Sequence, residues 1–217
     1  IRDSALSRNG LGAVSISDEA HVNLEGVSIL DSELMARAID QGATAMMADS
    51  LIRRVIPFLM DAQGGTLVNG VFAEASQLTL KRSVLADLGG YAIEVSRSGA
   101  RLDAEDVLIT RLSANGSALY GAGGIGVTDA SAQLKRVAII EHEMAALRVS
   151  RSDVNSEGLF VSGGRDTSAG IDSPLAAGMF VSGEGEEDLG PVTLSESVFS
   201  DSQGVGLYVF DSAHVQV

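Results

Sequence analysis

One spacing returns eight times along the chain, and it limits the fold more than any other feature. From Ala20, apolar or small residues follow at +2, +4, +7 and +9: Val22, Leu24, Val27 and Ile29. The same ladder runs from Ser76, Ala100, Ala130, Ser152 and Gly190. From Ala100, for example, it reads Leu102, Ala104, Val107 and Ile109. Asp49 starts a degraded copy (Leu51, Arg53, Ile56, Phe58), and Ala213 starts one that stops at Val217. Successive origins lie 29, 27, 24, 30, 22, 38 and 23 residues apart. Self-similarity at such a period is the signature of stacked repeats, each too small to bury its own apolar face.

Each origin is preceded by a further short alternating segment, often led by glycine. Copies are residues 12–16, 43–47, 70–73, 91–95, 125–127, 145–149, 178–181 and 206–209. Period-two alternation is that of strands. A repeat therefore reads as three strands: the glycine-led one, one from the origin to +4, and one from +7 to +9 after a two-residue bend. Helix is disfavoured by the alternation and by 25 glycines. Residues 31–39, Asp-Ser-Glu-Leu-Met-Ala-Arg-Ala-Ile, are the exception and read as one or two helical turns.

Two-residue bends cannot reverse the chain at every corner and keep this register. Wrapping the chain so that each strand pairs with its copy in the next repeat can. The expectation is an all-β, right-handed parallel β-helix solenoid of about eight coils with three parallel sheets. It forms a single domain over residues 1–217. This pattern resembles the pectin-lyase-like superfamily. That resemblance implies fold but no particular activity, since the superfamily spans lyases, hydrolases, adhesins and proteins of no known activity. Residues 1–10 resemble the third strand and exit loop of a preceding coil, and Val217 stops inside a second strand. The chain thus reads as an excerpt of a longer solenoid, with further coils of the same chain as its neighbours.

Composition narrows the partners. A formal net charge of −14 disfavours nucleic acid, which needs a basic stripe. No run of eighteen apolar residues is present to span a membrane as a helix. With no cysteine there are no disulfides and no thiolate metal sites. The acidic loop Glu184, Glu186, Glu187 and Asp188 is oxygen-rich enough to suggest calcium, but it lacks the alternating ligand spacing of a calcium loop. No metal or other cofactor is assigned.

The outward positions can be listed because side chains alternate across a strand. The second-strand column is polar almost throughout (Asn23, Thr79, Asp103, Gln133, Asn155) and reads as a wet face. His21 and His214 occupy equivalent positions seven coils apart, too far to share a metal. The third-strand column is apolar: Ser28, Pro57, Val84, Leu108, Ala138, Phe160, Val198. Exit loops folding back are the expected cover.

The first-strand column reads Ser15, Met46, Phe72, Glu94, Gly126, Arg148, Phe180, Tyr208. Parallel strands lie about 4.8 Å apart, so Glu94 and Arg148 flank Gly126 at about 10 Å, across a floor without a side chain. With Phe72, Phe180 and Tyr208 on the same track, the pattern suits an extended sugar chain. Rings stack on pyranose faces and the charges bind hydroxyls or uronates.

Hydrolases of the resembled superfamily place several aspartates on first strands with a Gly-His-Gly segment, and neither is present here. Glu94 stands alone, whereas glycoside hydrolysis needs two carboxylates. Arg148 lacks the acid cluster expected of a lyase. No catalytic residue is assigned. The expected function is a non-enzymatic extracellular or cell-surface β-helix scaffold that binds extended glycans or another surface protein. The alternative is a polysaccharide lyase or glycoside hydrolase of the same superfamily.

Overall fold

A computed structural model describes residues 1–9, 13–32, 35–39, 42–55, 69–113, 122–165, 177–183, 190–210 and 215–217. These residues are all-β: 22 strands and no helix. Every pairing between strands is parallel. The chain visits three ladders of strands in a fixed cycle, so each strand pairs with copies of itself one repeat before and after.

The first ladder is an eight-stranded sheet running from Val14–Ile16 to Leu207–Phe210. The second and third ladders are fused into one fourteen-stranded sheet. Two sheets therefore stand where three were expected. The reason is local. Arg101–Leu112 and Ser131–Ile140 are each continuous strands through the bend at +5 and +6, so they belong to both ladders at once. Elsewhere the bend interrupts the strand, as between His21–Glu25 and Ser28–Leu30.

Two further expectations are corrected. Residues 35–39 are a strand, not helical turns, and Met35–Ile39 pairs with Val14–Ile16 on one side and Asn69–Glu74 on the other. The good helix formers Met35, Ala36 and Arg37 are overridden because the first ladder needs a rung there. The copy placed at Asp49 starts at Ala43 instead. Val22 pairs with Ala45 and Leu24 with Met47, so Thr44–Ala48 is a second strand. Ile29 pairs with Ile52, so Leu51–Val55 is a third strand. This register keeps Arg53 off the core and against Asp87. It also makes Ala38 the first-ladder neighbour of Phe72 in place of Met46, and Leu51 the neighbour of Ser28 and Val84 in place of Pro57. The repeats are numbered one to seven below, from Ala20, Ala43, Ser76, Ala100, Ala130, Ser152 and Gly190.

The inward columns form one core. Leu24, Leu78, Leu80, Leu102, Leu134, Val154, Val192 and Leu194 are buried, with Val22 half-buried against them. The +7 column admits serine because the hydroxyl finds partners inside. Ser50 Oγ donates to the Ala48 carbonyl at 2.6 Å and accepts the Val27 amide at 3.0 Å.

The glycines that lead first strands have a packing reason. A Cβ on Gly70, Gly124 or Gly178 would stand 2.3–2.6 Å from the carbonyl oxygen of the residue beside it in the next repeat (Ala92, Ala146 or Gly206). Those oxygens accept the amides of Val71, Ile125 and Met179 at 2.8, 2.8 and 2.9 Å. A side chain there would wedge the rungs apart.

The corners use left-handed backbone. At +6 stand Gly26, Asp49, Arg82, Asp106, Arg136, Gly158 and Glu196, and at +11 Asp31, Arg54, Asp87, Arg111, Glu141, Gly163 and Asp201, all with positive φ. Left-handed geometry costs a non-glycine residue roughly 1–2 kcal/mol. Several of these conformations are held by pairing across rungs: Asp49 N donates to Lys81 O and Arg82 N to Glu105 O. The side chains along each column alternate in sign and pair. Arg82 reaches Asp49 and Arg136 reaches Asp106 in the first column; Arg54 reaches Asp31 and Arg111 reaches Asp87 in the second.

Candidate functional site

The expected track exists as a register. Phe72 pairs with Glu94, Glu94 with Gly126, Gly126 with Arg148, Arg148 with Phe180, and Phe180 with Tyr208. All sit on successive rungs of the first ladder. Phe72, Glu94, Phe180 and Tyr208 are half-buried and Arg148 is exposed.

The floor differs from the expectation in two ways. The gap over Gly126 is occupied by Tyr91. A Cβ on Gly126 would touch Tyr91 Cδ1 at 3.6 Å and Cε1 at 3.7 Å. The same ring presses so closely on Gly123 that a Cβ there would meet it at 2.4 Å. Tyr91 Oη is buried without a hydrogen bond of acceptable geometry. Burial pushes the phenol pKa up, and Glu94 adds to this, while nearby Arg148 opposes it. Glu94, Tyr91 and Arg148 are therefore one electrostatic cluster. Alternation over 91–95 sets Tyr91 inward with Ile93 and Val95, whereas the strand opens only at Ile93, which frees the ring to lie over Gly126.

The second difference is in the rings. Phe180 and Tyr208 stack nearly parallel, centroids 5.5 Å apart and planes 11° from each other. Each ring therefore turns one face to its neighbour on the adjoining rung. Edges, with the two outer faces of the pair, are what the surface offers.

A second concavity lies at the corner where chains leave the third ladder. It is a cleft of about 370 Å³ bordered by Asp87, Arg111, Glu141, His142, Glu143 and Arg165. Asp87 takes hydrogen bonds from Arg111 and Arg53, which hold its carboxyl at a pKa of about 2. His142 is fully buried, with Nδ1 2.5 Å from the Met144 carbonyl. A carbonyl can only accept, so Nδ1 carries the proton and Nε2 keeps its lone pair. Burial lowers the pKa of the imidazole below its ordinary value. Gly164 makes room for the ring, since a Cβ there would stand 2.8 Å from His142 Cε1. No sequence pattern singled this histidine out, because it occupies an inward +12 position filled elsewhere by Val55, Leu88 and Leu112.

Among the described residues no three histidine, aspartate or glutamate side chains converge to hold a metal ion. The acidic loop with Glu184, Glu186, Glu187 and Asp188 lies outside the described residues, as do His214 and Pro57. No helix among the described residues is long and apolar enough to cross a membrane. Comparison with known proteins finds no family model, curated protein or solved structure that matches this chain.

Proposed function

We propose that the chain winds as a right-handed parallel β-helix of the pectin-lyase-like kind and serves as a non-catalytic scaffold at the cell surface or outside the cell. On its first ladder it holds an extended glycan. The observation that carries the reading is the unbroken register Phe72–Glu94–Gly126–Arg148–Phe180–Tyr208, six consecutive rungs on one sheet face. An extended ligand needs contacts repeated along a line, and this column supplies aromatic rings at both ends with an acid and a guanidinium between. The fourfold recurrence of paired Asp and Arg at left-handed corners supports a stiff scaffold, since each pair ties one rung to the next. The net charge of −14 favours neutral over acidic glycans.

Binding to a panel of neutral and acidic polysaccharides tests this. Neutral chains should bind, and Arg148→Ala should weaken them by about 1 kcal/mol, the usual size of one hydrogen bond. Tyr208→Ala should cost roughly 0.5–1.5 kcal/mol beyond lost area. Absence of binding across the panel would remove the glycan reading and leave only the scaffold.

The second reading is a polysaccharide lyase or glycoside hydrolase. What favours it is the exit cleft, where Glu141, Glu143, Arg111 and Arg165 border a neutral buried His142. Release of reducing ends or unsaturated products from any of these polysaccharides, abolished by Glu143→Gln, would establish it over the first.

A further inference from the structure

We propose that the outward face of the third ladder docks a second copy of this chain, the two copies lying side by side and parallel. The inference rests on the register, exposure and charges of the third ladder, so failure of the glycan reading leaves it standing. Along this face Leu51, Val84, Leu108, Ala138 and Phe160 follow one another in adjacent rungs of repeats two to six. The four side chains before Phe160 are half-buried, and Phe160 is 40% exposed. An apolar column on an outward sheet face marks an interaction surface.

The exit loops expected to cover it lie largely outside the described residues, at 56–68, 114–121 and 166–176, and the rims point to a second copy. The column is bordered on one side by the +6 residues; on the other, beyond the +10 residues Arg53, Ala86, Thr110, Ile140 and Ser162, stand the +11 residues. In repeats two to five these two carry opposite charges in every rung: Asp49 and Arg54, Arg82 and Asp87, Asp106 and Arg111, Arg136 and Glu141. In repeat six both are glycine, Gly158 and Gly163, so no rim side chain flanks Phe160 in its own repeat.

Consider two such faces related by a two-fold axis parallel to the stacking direction. The operation sets the +6 rim of one copy against the +11 rim of the other within the same rung. Asp49 then faces the partner's Arg54, Arg82 the partner's Asp87, Asp106 the partner's Arg111, and Arg136 the partner's Glu141. Opposite signs meet at every rung, and each contact occurs twice, as an isologous interface requires. The aspartates and arginines of these rims already pair within the chain and remain between 26% (Asp87) and 56% (Arg82) exposed, and Glu141 is exposed, which leaves donors and acceptors for a partner.

An antiparallel pair is less well matched. Only one alignment, repeat two against five, matches opposite signs over all four charged rungs, and it sets Phe160 against Ser28. The parallel pair sets Phe160 against its own copy. Repeat seven ends the contact, because Glu196 and Asp201 are both acidic and would face each other.

Five rungs about 4.8 Å apart and five residue steps of about 3.3 Å span roughly 24 by 17 Å. That is about 800 Å² for both copies together, below the standard interface, so the dimer is a weak one.

The test uses the whole chain, whose lack of cysteine makes any introduced thiol unique. Sedimentation equilibrium from about 1 µM to about 1 mM should show a reversible monomer–dimer equilibrium within that window. Phe160→Glu should raise the dissociation constant at least about tenfold with an unchanged circular dichroism spectrum, which separates lost docking from lost folding. Under mild oxidation Phe160→Cys should cross-link to itself, whereas a mixture of Phe160→Cys and Ser28→Cys should give no excess of the mixed product. A chain that stays monomeric to about 1 mM overturns the proposal. So does a dimer indifferent to Phe160→Glu, or a preferred mixed disulfide between positions 28 and 160.

Discussion

Two glycines of one short segment should respond to the same mutation in opposite ways. Gly124 and Gly126 flank Ile125 at the start of the first-ladder strand Ile125–Thr128. A methyl on Gly124 would stand 2.3 Å from the Ala146 carbonyl oxygen and 2.8 and 2.9 Å from Ile139 Cγ2 and Cδ1. The oxygen is backbone and already accepts the Ile125 amide at 2.8 Å, so it cannot step aside without lengthening a rung bond. Overpacking a tight interior costs typically 1–3 kcal/mol, and weakening one buried hydrogen bond about 1 kcal/mol more. Gly124→Ala should therefore destabilise the chain by about 2–4 kcal/mol. A methyl on Gly126 would find only ordinary contacts at 3.6–3.7 Å with Tyr91 and Glu94. There Gly126→Ala should be neutral or stabilise by up to about 1 kcal/mol through the unfolded state. Urea unfolding of both variants, followed by circular dichroism with the slope checked for constancy, measures the difference. Equal effects, or a tolerated Gly124→Ala, would mean that the rungs do not approach as described.

Leu102 lies fully buried in the second-ladder column, so Leu102→Ala should cost about 2–5 kcal/mol in the same urea experiment. Asp87→Asn keeps a residue that tolerates left-handed backbone but discards the carboxylate held at about 2. A carboxyl lowered on folding stabilises above its unfolded value and loses that contribution as pH falls through the folded one. Since its arginine partners are about half exposed, the loss should be about 1–2 kcal/mol at pH 7, vanishing near pH 2. His142 is lowered by burial, so its contribution is complete above about pH 6.5 and declines as acid protonates the imidazole. A pH series of unfolding midpoints on His142→Gln should lack that decline.

The repeat was legible because inward positions recur with strand periodicity and the core requires apolar or small side chains there. Leu24, Leu102 and Leu134 obeyed this rule and sit inside. The second repeat was misplaced because Ala43-Thr-Ala-Met-Met47 alternates like either a first or a second strand. Only pairing with Val22 and Leu24 decides between them. The strand at 35–39 was hidden by side chains whose local preference is helical. The track survived in register because period two is insensitive to what a residue touches. Tyr91 over Gly126 and the face-to-face Phe180–Tyr208 pair were not legible, because side-chain direction is set by neighbours on other rungs. The corner columns did leave a signal. Once the second origin stands at Ala43, acids, arginines and glycines fall at +6 and +11 in every repeat. Their meaning as left-handed, cross-paired corners needs the rung above.

The central claim is that repeats of unequal length rise by one constant step. Asn23, Gln133, Asn155 and Thr193 lie on one outward column in repeats one, five, six and seven. Spin labels attached to cysteines introduced pairwise at these sites report their separations by pulsed electron resonance. At about 4.8 Å per rung, Asn23 should lie about 19 Å from Gln133, about 24 Å from Asn155 and about 29 Å from Thr193. The last step crosses 38 residues of chain and the one before it 22, yet both should add the same distance. Separations that follow chain length, or that fail to grow from one site to the next, would contradict the parallel stacking on which everything above depends.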